Sequence, residues 1–149
     1  MPVFVSSVVI DAPVAEVFRF HEREDAFTLL TPAFPPVRLI SKSTPGIGVG
    51  TRLELRAGIF RWVALHTAYE KNKLFVDEQI SGPFAKWVHR HEFEAVNAKT
   101  RLTDRIEYEL PGGRLVNKLF GWAVGPGLSS MFAHRHRVTR EFCETGSPH

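Results

Sequence analysis

Ala85-Lys86-Trp87-Val88-His89-Arg90-His91-Glu92-Phe93 alternates with period two, placing Ala85, Trp87, His89, His91 and Phe93 on one face and Lys86, Arg90 and Glu92 on the other. That is the pattern of a half-buried antiparallel strand. Two imidazoles on the apolar face, between a tryptophan and a phenylalanine, are unusual for a core that only needs filling. They point instead to an internal space with polar groups set into its wall.

The next run, Thr100 to Leu110, alternates in the same way, and Val96-Asn97-Ala98-Lys99 forms the intervening turn. In the simplest hairpin register Phe93 faces Leu102, His91 faces Asp104, His89 faces Ile106 and Trp87 faces Tyr108. Both alternations agree on this register, and a slip of one residue would turn both apolar faces outward. His91 and Asp104 thus become cross-strand neighbours on the inner face. A buried carboxylate is costly without a partner, and an imidazole N–H is a suitable one.

Upstream, Val3 to Ile10 is β-branched and reads as a first strand. Asp11-Ala12-Pro13 reads as a helix entry, with Asp11 as the cap. Val14, Val17, Phe18 and His21 then share one helical stripe. Ala26 to Leu30 is a second short helix, stopped by Thr31-Pro32 with Pro35-Pro36 beyond. Val37 to Lys42 is a second strand. The glycine-rich run Pro45 to Gly50 is followed by the alternating strand Thr51 to Arg56 and not by a helix, so it reads as a turn and not a phosphate loop. Gly58 to Tyr69 and Leu74 to Ile80 are two more strands. From Arg114 the pattern is helical, with a kink expected at Gly125-Pro126-Gly127. Leu128, Met131, Phe132, Arg135, Val138 and Phe142 form its apolar stripe.

Carried across Glu70 to Lys73, the register turns Val63, Leu65, Thr67 and Tyr69 inward and His66 outward. Across Gly82-Pro83 it turns Val76, Glu78 and Ile80 inward, with Glu78 opposite Trp87. His89-x-His91 would put two imidazoles on one side of a metal ion, with Asp104 or His66 as third ligand. With His66 outward, no metal is expected. The basic run His134-Arg135-His136-Arg137 with Arg140 is spread over more than one helical face and has no interleaved aromatic platform. It reads as a solvated helix face, and no nucleic-acid partner is expected.

At 149 residues the chain is expected to be a single domain, 1–149, with a sizeable core, and its net charge of +3 does not by itself imply a polyanionic partner. Its single cysteine, Cys143, excludes an intramolecular disulfide and fits a reducing compartment. The first residues show no secretion signal, so a cytoplasmic location is expected. The apolar stretch Leu115 to Phe132 is interrupted by Asn117, Lys118, glycines and Pro126, which excludes a bilayer span. Leu119-Phe120-Gly121-Trp122 reads either as a kinked helix packed on the sheet or as a movable flap making transient membrane contact.

The order is one strand, two short helices, about six further strands joined by hairpins, then a long helix. It resembles the START-like, helix-grip superfamily (SRPBCC), in particular its small bacterial stand-alone members of ligand-binding or cyclase/dehydratase-like type. The residues that carry the resemblance are Ala12-Pro13 with Val17-Phe18, Pro45-Gly46 with Gly50, Glu78-Gln79, Gly82-Pro83-Phe84, Trp87, His89, His91, Phe93, Thr100, Asp104, Tyr108 and Pro111. It implies an α+β fold of about six to seven curved antiparallel strands wrapped on a long C-terminal helix.

The expected function is binding, as carrier or sensor, of a small hydrophobic lipid-like or aromatic molecule between sheet and helix, without a cofactor. Its expected contacts are Glu78, Trp87, His89, His91, Phe93, Asp104, Ile106 and Tyr108 from the sheet, with Leu119, Trp122, Met131 and Phe132 from the helix. Two alternatives stay open: a cyclase or dehydratase using His91 and Asp104 for proton transfer, as the resemblance permits, and a protein-interaction module with no ligand.

Overall fold

In the computed structural model, which describes residues 2–33 and 37–145, one seven-stranded antiparallel sheet curves around a C-terminal helix. Strand β1 (Val3–Ile10) leads into α1 (Val14–Glu22) and α2 (Ala26–Leu30), and six strands follow: β2 (Val37–Lys42), β3 (Arg52–Ala57), β4 (Phe60–Glu70), β5 (Leu74–Ser81), β6 (Lys86–Val96) and β7 (Lys99–Glu109). The spatial order is β1-β7-β6-β5-β4-β3-β2, so β2 to β7 form a meander and β1 closes it beside β7. This is the helix-grip arrangement. The proline pair Pro35-Pro36 lies outside the described residues.

Local chemistry explains the turns. Asn72 and Asn97 sit at φ 63 and 58, at the tips of the β4–β5 and β6–β7 hairpins, where asparagine tolerates the left-handed conformation. The run Pro45 to Gly50 is a turn leading into β3, closed by the Thr51 N–H donating to the Gly48 carbonyl at 3.0 Å. Asp11 does not cap α1: Pro13 holds the N-cap position, and the Asp11 backbone N–H instead donates to Glu144 near the chain's end at 2.8 Å.

The helical segment breaks earlier than expected. Helix α3 (Gly113–Phe120) passes through a tight turn at Gly121–Ala123 into α4 (Val124–Thr145). Gly125-Pro126-Gly127 lies in the first turn of α4, where proline costs no internal hydrogen bond. Among the described residues, no helix is long and apolar enough to cross a membrane.

The inner face carries the core. Ile10, Val17, Phe18, Phe75, Phe93 and Leu102 pack where α1 meets the sheet. Ile106, Tyr108, Leu128 and Phe132 pack where α4 crosses it, while Leu53, Leu55 and Ala64 line its β3–β4 end. Burying each of these larger side chains contributes roughly 1.5–3 kcal/mol. Between the last two groups the sheet and helices do not meet, and the candidate site lies there.

Candidate functional site

The β6–β7 register is the one read from the alternation: Trp87 pairs with Tyr108, His89 with Ile106, His91 with Asp104 and Phe93 with Leu102. Asp104 is 3% exposed and sits behind the cavity wall. Its Oδ1 accepts from His89 Nε2 at 2.8 Å and lies 3.2 Å from His91 Nδ1, and its Oδ2 accepts from His136 Nε2 at 2.7 Å. Burial alone would push this carboxyl up, but the His136, His89 and His91 hydrogen bonds outweigh it and hold Asp104 well below the usual carboxylate range.

A second carboxylate faces the first across the same two rings. Asp77 accepts from His91 Nε2 at 2.8 Å and lies 3.9 Å from His89 Nδ1. The two imidazoles stack at 3.6 Å between centroids. Burial again opposes ionisation, yet the His91 bond and the nearby His89 bring Asp77 down to about 2. Burial lowers both imidazoles, but the bonds to Asp104 and Asp77 lift His91 above its ordinary value. His89 stays below its own, held there by burial and by its neighbour His91. Both His91 nitrogens thus face a carboxylate oxygen, Nε2 that of Asp77 and Nδ1 that of Asp104, while His89 turns Nε2 to Asp104.

Asp77 occupies the place expected of Glu78. The β5–β6 turn is one residue longer than the simplest count, so Glu78 pairs with Val88 and not with Trp87, Asp77 pairs with His89, and Ile80 is exposed. Glu78 lines neither part of the cavity described below. His66 is corrected too. The β4–β5 ladder shifts register between His66 and Ala68, and this irregularity turns His66 inward, buried and paired across strands with Asp77. The expectation of a wholly solvated basic face on the last helix also fails in part. His136 is buried on Asp104, and Arg135 is half-buried on the cavity, whereas Arg137 and Arg140 are exposed. His136 stands four residues after Phe132 and eight after Leu128, so the helical spacing carried the signal.

The cavity has two lobes. The polar lobe, about 130 Å³, is walled by His21, His66, Asp77, His89, His91 and Arg135, with Lys42 and Arg23 among its lining and Phe27, Leu53, Leu55 and Phe75 as apolar surface. The apolar lobe, about 160 Å³, is walled by Trp62, Trp87, Phe27, Leu55, Met131 and Phe132. Phe27, Leu55, Ala64, Asp77, His89 and Arg135 line both, so the lobes adjoin. Trp62 and Trp87 meet edge to face at 5.0 Å. An apolar cavity of ~150 Å³ holds a benzene ring, so each lobe suits one ring-sized group.

His21 and His66 complete the polar wall. His21 Nδ1 donates to the Val17 carbonyl at 2.8 Å, and burial pulls its pKa down to about 3, so it is neutral. His66 Nδ1 faces the Thr51 carbonyl at 3.3 Å, and burial lowers its pKa as well. The Arg135 guanidinium lies 5.4 Å over the Phe132 ring. Burial lowers its pKa, but a guanidinium stays charged at neutral pH.

Of the residues expected to contact ligand, Trp87, His89, His91, Met131 and Phe132 line the cavity. Phe93 and Ile106 are core, Asp104 lies behind the histidines, and none of the three lines either lobe. The Tyr108 hydroxyl donates to the Gly121 carbonyl at 2.7 Å and is spent on holding the helix break. Leu119 and Trp122 are exposed, Trp122 at 73%, and stand outside the cavity. Among the described residues, Asp77, His89 and His91 form a group that could hold a metal ion, their ligand atoms lying within 4.8 Å of one another.

The fold recurs in solved structures. A nucleoside-diphosphate sugar epimerase from Corynebacterium glutamicum matches with a TM-score of 0.72 and 25% identity over 93% of this chain, which spans only 28% of that one. A START superfamily protein from Mycobacterium smegmatis matches at TM-score 0.62 and 16% identity, covering 97% of this chain and 99% of its own. Norcoclaurine synthase from Thalictrum flavum, solved with dopamine and hydroxybenzaldehyde, matches at TM-score 0.69 and 15% identity, covering 99% and 89%. No curated protein sequence matches. Residues 10–136 fit the family described as polyketide cyclase / dehydrase and lipid transport, and the chain, a helix-grip protein with its polar cluster set in the gap between sheet and helix, belongs to that family.

Proposed function

We propose that the protein binds a small molecule made of about two ring-sized groups, its apolar part between Trp62, Trp87, Met131 and Phe132 and its polar end at Arg135, Asp77 and His89. The supporting observation is that the two lobes adjoin at those three polar residues, so one molecule can fill both. An apolar pocket with a few convergent polar groups is the usual form of a small-molecule site. Arg135 favours a carboxylate or an enolate-like oxygen at that end, since no ion pair to a carboxylate engages it among the described residues. Norcoclaurine synthase, of the same fold, holds small aromatic molecules, which is consistent with this reading.

The test is a thermal-shift and calorimetric screen of two-ring aromatic carboxylates and short fatty acids against their neutral amides. The acids should stabilise the protein and quench tryptophan fluorescence, and Arg135→Gln should remove the preference for acids over amides. No stabilisation by any member would overturn the proposal.

A second reading is favoured by one observation. His91 bridges two carboxylates, one of which, Asp77, lines the cavity. In a cyclase or dehydratase, Asp77 would take a proton from bound substrate while Asp104 holds both imidazoles in place. Asp77→Asn would then abolish turnover, whereas a carrier would show no turnover to lose.

A further inference from the structure

We propose that Asp77, His89 and His91 form a binding site for one divalent first-row transition-metal ion, such as zinc, with open coordination positions facing the cavity. This goes beyond the ligand-binding reading and stands or falls apart from it. The geometry carries it. Asp77 Oδ2 is 2.8 Å from His91 Nε2 and 3.9 Å from His89 Nδ1, and all three ligand atoms lie within 4.8 Å of one another. Around zinc, with bonds of about 2.0–2.2 Å, ligand atoms stand roughly 3–3.5 Å apart. The observed separations bracket that range, so small rotations of three side chains suffice.

The orientation behind the ligands is the stronger argument. A metal-bound imidazole commonly gives its other N–H to a carboxylate, which sets the ring's tautomer and direction. Asp104 Oδ1 does this for both rings at once, at 2.8 Å from His89 Nε2 and 3.2 Å from His91 Nδ1, and Asp104 is itself held by His136 at 2.7 Å. One buried carboxylate thus points the remaining nitrogen of each imidazole toward the other carboxylate. The cation would enter where the His91 Nε2–H now meets Asp77, releasing that proton to solvent. With both rings neutral, the two negative charges of Asp77 and Asp104 then balance the ion's two positive ones. All three ligands line the polar lobe, which supplies both an entry path and room for a water or a ligand oxygen on the metal. His66, paired with Asp77 across the strands, stands on the same wall.

The test uses the whole chain after dialysis against chelator. Titration with Co²⁺ should saturate at one equivalent with visible d–d absorption, and Zn²⁺ should displace it. Asp77→Asn and His91→Gln should weaken binding at least tenfold. Asp104→Asn should weaken it about 10–100-fold through the two rings it orients. His134→Gln, outside the site, should leave binding unchanged. Circular dichroism reports whether each variant folds. If a variant does not, pulsed electron paramagnetic resonance of the Cu²⁺-loaded wild-type chain should show two coupled imidazoles. Saturation without d–d bands, binding lost in His134→Gln but retained in Asp77→Asn, or a single coupled imidazole would each overturn the proposal.

Discussion

Asp104 and His136 are joined at 2.7 Å, and this bond ties the last helix to the strand that carries the buried carboxylate. The other Asp104 oxygen serves His89 and His91, so one side chain joins β6, β7 and α4. Removing one member of such a buried charged network leaves the rest unpaired, at a typical cost of about 3–5 kcal/mol. Asp104→Ala should therefore lower unfolding free energy by about that amount in urea titrations. His136→Leu should cost less, about 1.5–3 kcal/mol, because it removes a single bond to a charged acceptor.

His21 makes stability depend on pH in a definite direction. Its pKa is about 3 in the folded protein and 6.5 in the unfolded chain, so between those values the unfolded state binds more protons. Stability should be fully present above about pH 6.5 and fall as pH drops toward 3. His66 and His89, also lowered by burial, act in the same sense, whereas His91 acts in the opposite one. Asp77, at about 2, adds its own loss only below its unfolded value of 3.8. Denaturant midpoints compared between pH 7 and pH 4.5 should show a smaller drop in His21→Leu than in the wild type.

The β6–β7 half of the site was legible because two long alternations had to agree on one register across a four-residue turn, and they met on His91 and Asp104. Asp77 and His66 were not, for a local reason. Each depends on counting through a place where the period of two is broken, the long turn after Ser81 for one and the register shift next to His66 for the other. A single extra residue turns every following side chain to the opposite face. The placement of Arg135 on the cavity depends on how far α4 stands from the sheet. Periodicity places a residue on a stripe but does not say whether the stripe meets packed side chains or empty space.

Cys143 is half-buried on α4 beside Glu16 and Glu144, and burial with those two carboxylates pushes its thiol up to about 12. The thiolate is the reactive form, so the native protein holds almost none at pH 8. Alkylation by iodoacetamide at that pH should run at least tenfold slower than for a free cysteine, and it should reach the free rate in denaturant. A native-state rate equal to the free one would place Cys143 in an ordinary solvated setting.

Gly82 controls the turn that sets the β5–β6 register, and its role follows from one close approach. A Cβ there would lie 2.5 Å from Gln79 Oε1 and 2.7 Å from its Cδ. The Gln79 amide cannot swing away freely, because Oε1 accepts from the Phe84 N–H at 3.1 Å and Nε2 donates to the Phe84 carbonyl at 2.7 Å. Gly82→Ala should break both bonds and cost about 1–3 kcal/mol. Phe84 packs on Trp87 at 4.8 Å, so the same change should alter tryptophan fluorescence at the apolar lobe. A double-mutant cycle isolates the cause. Once Gln79→Ala has removed the amide, adding Gly82→Ala should cost little further stability, since the atoms it would strike are gone. Additive losses would mean that the glycine is needed for its backbone alone and that the glutamine does not define the turn.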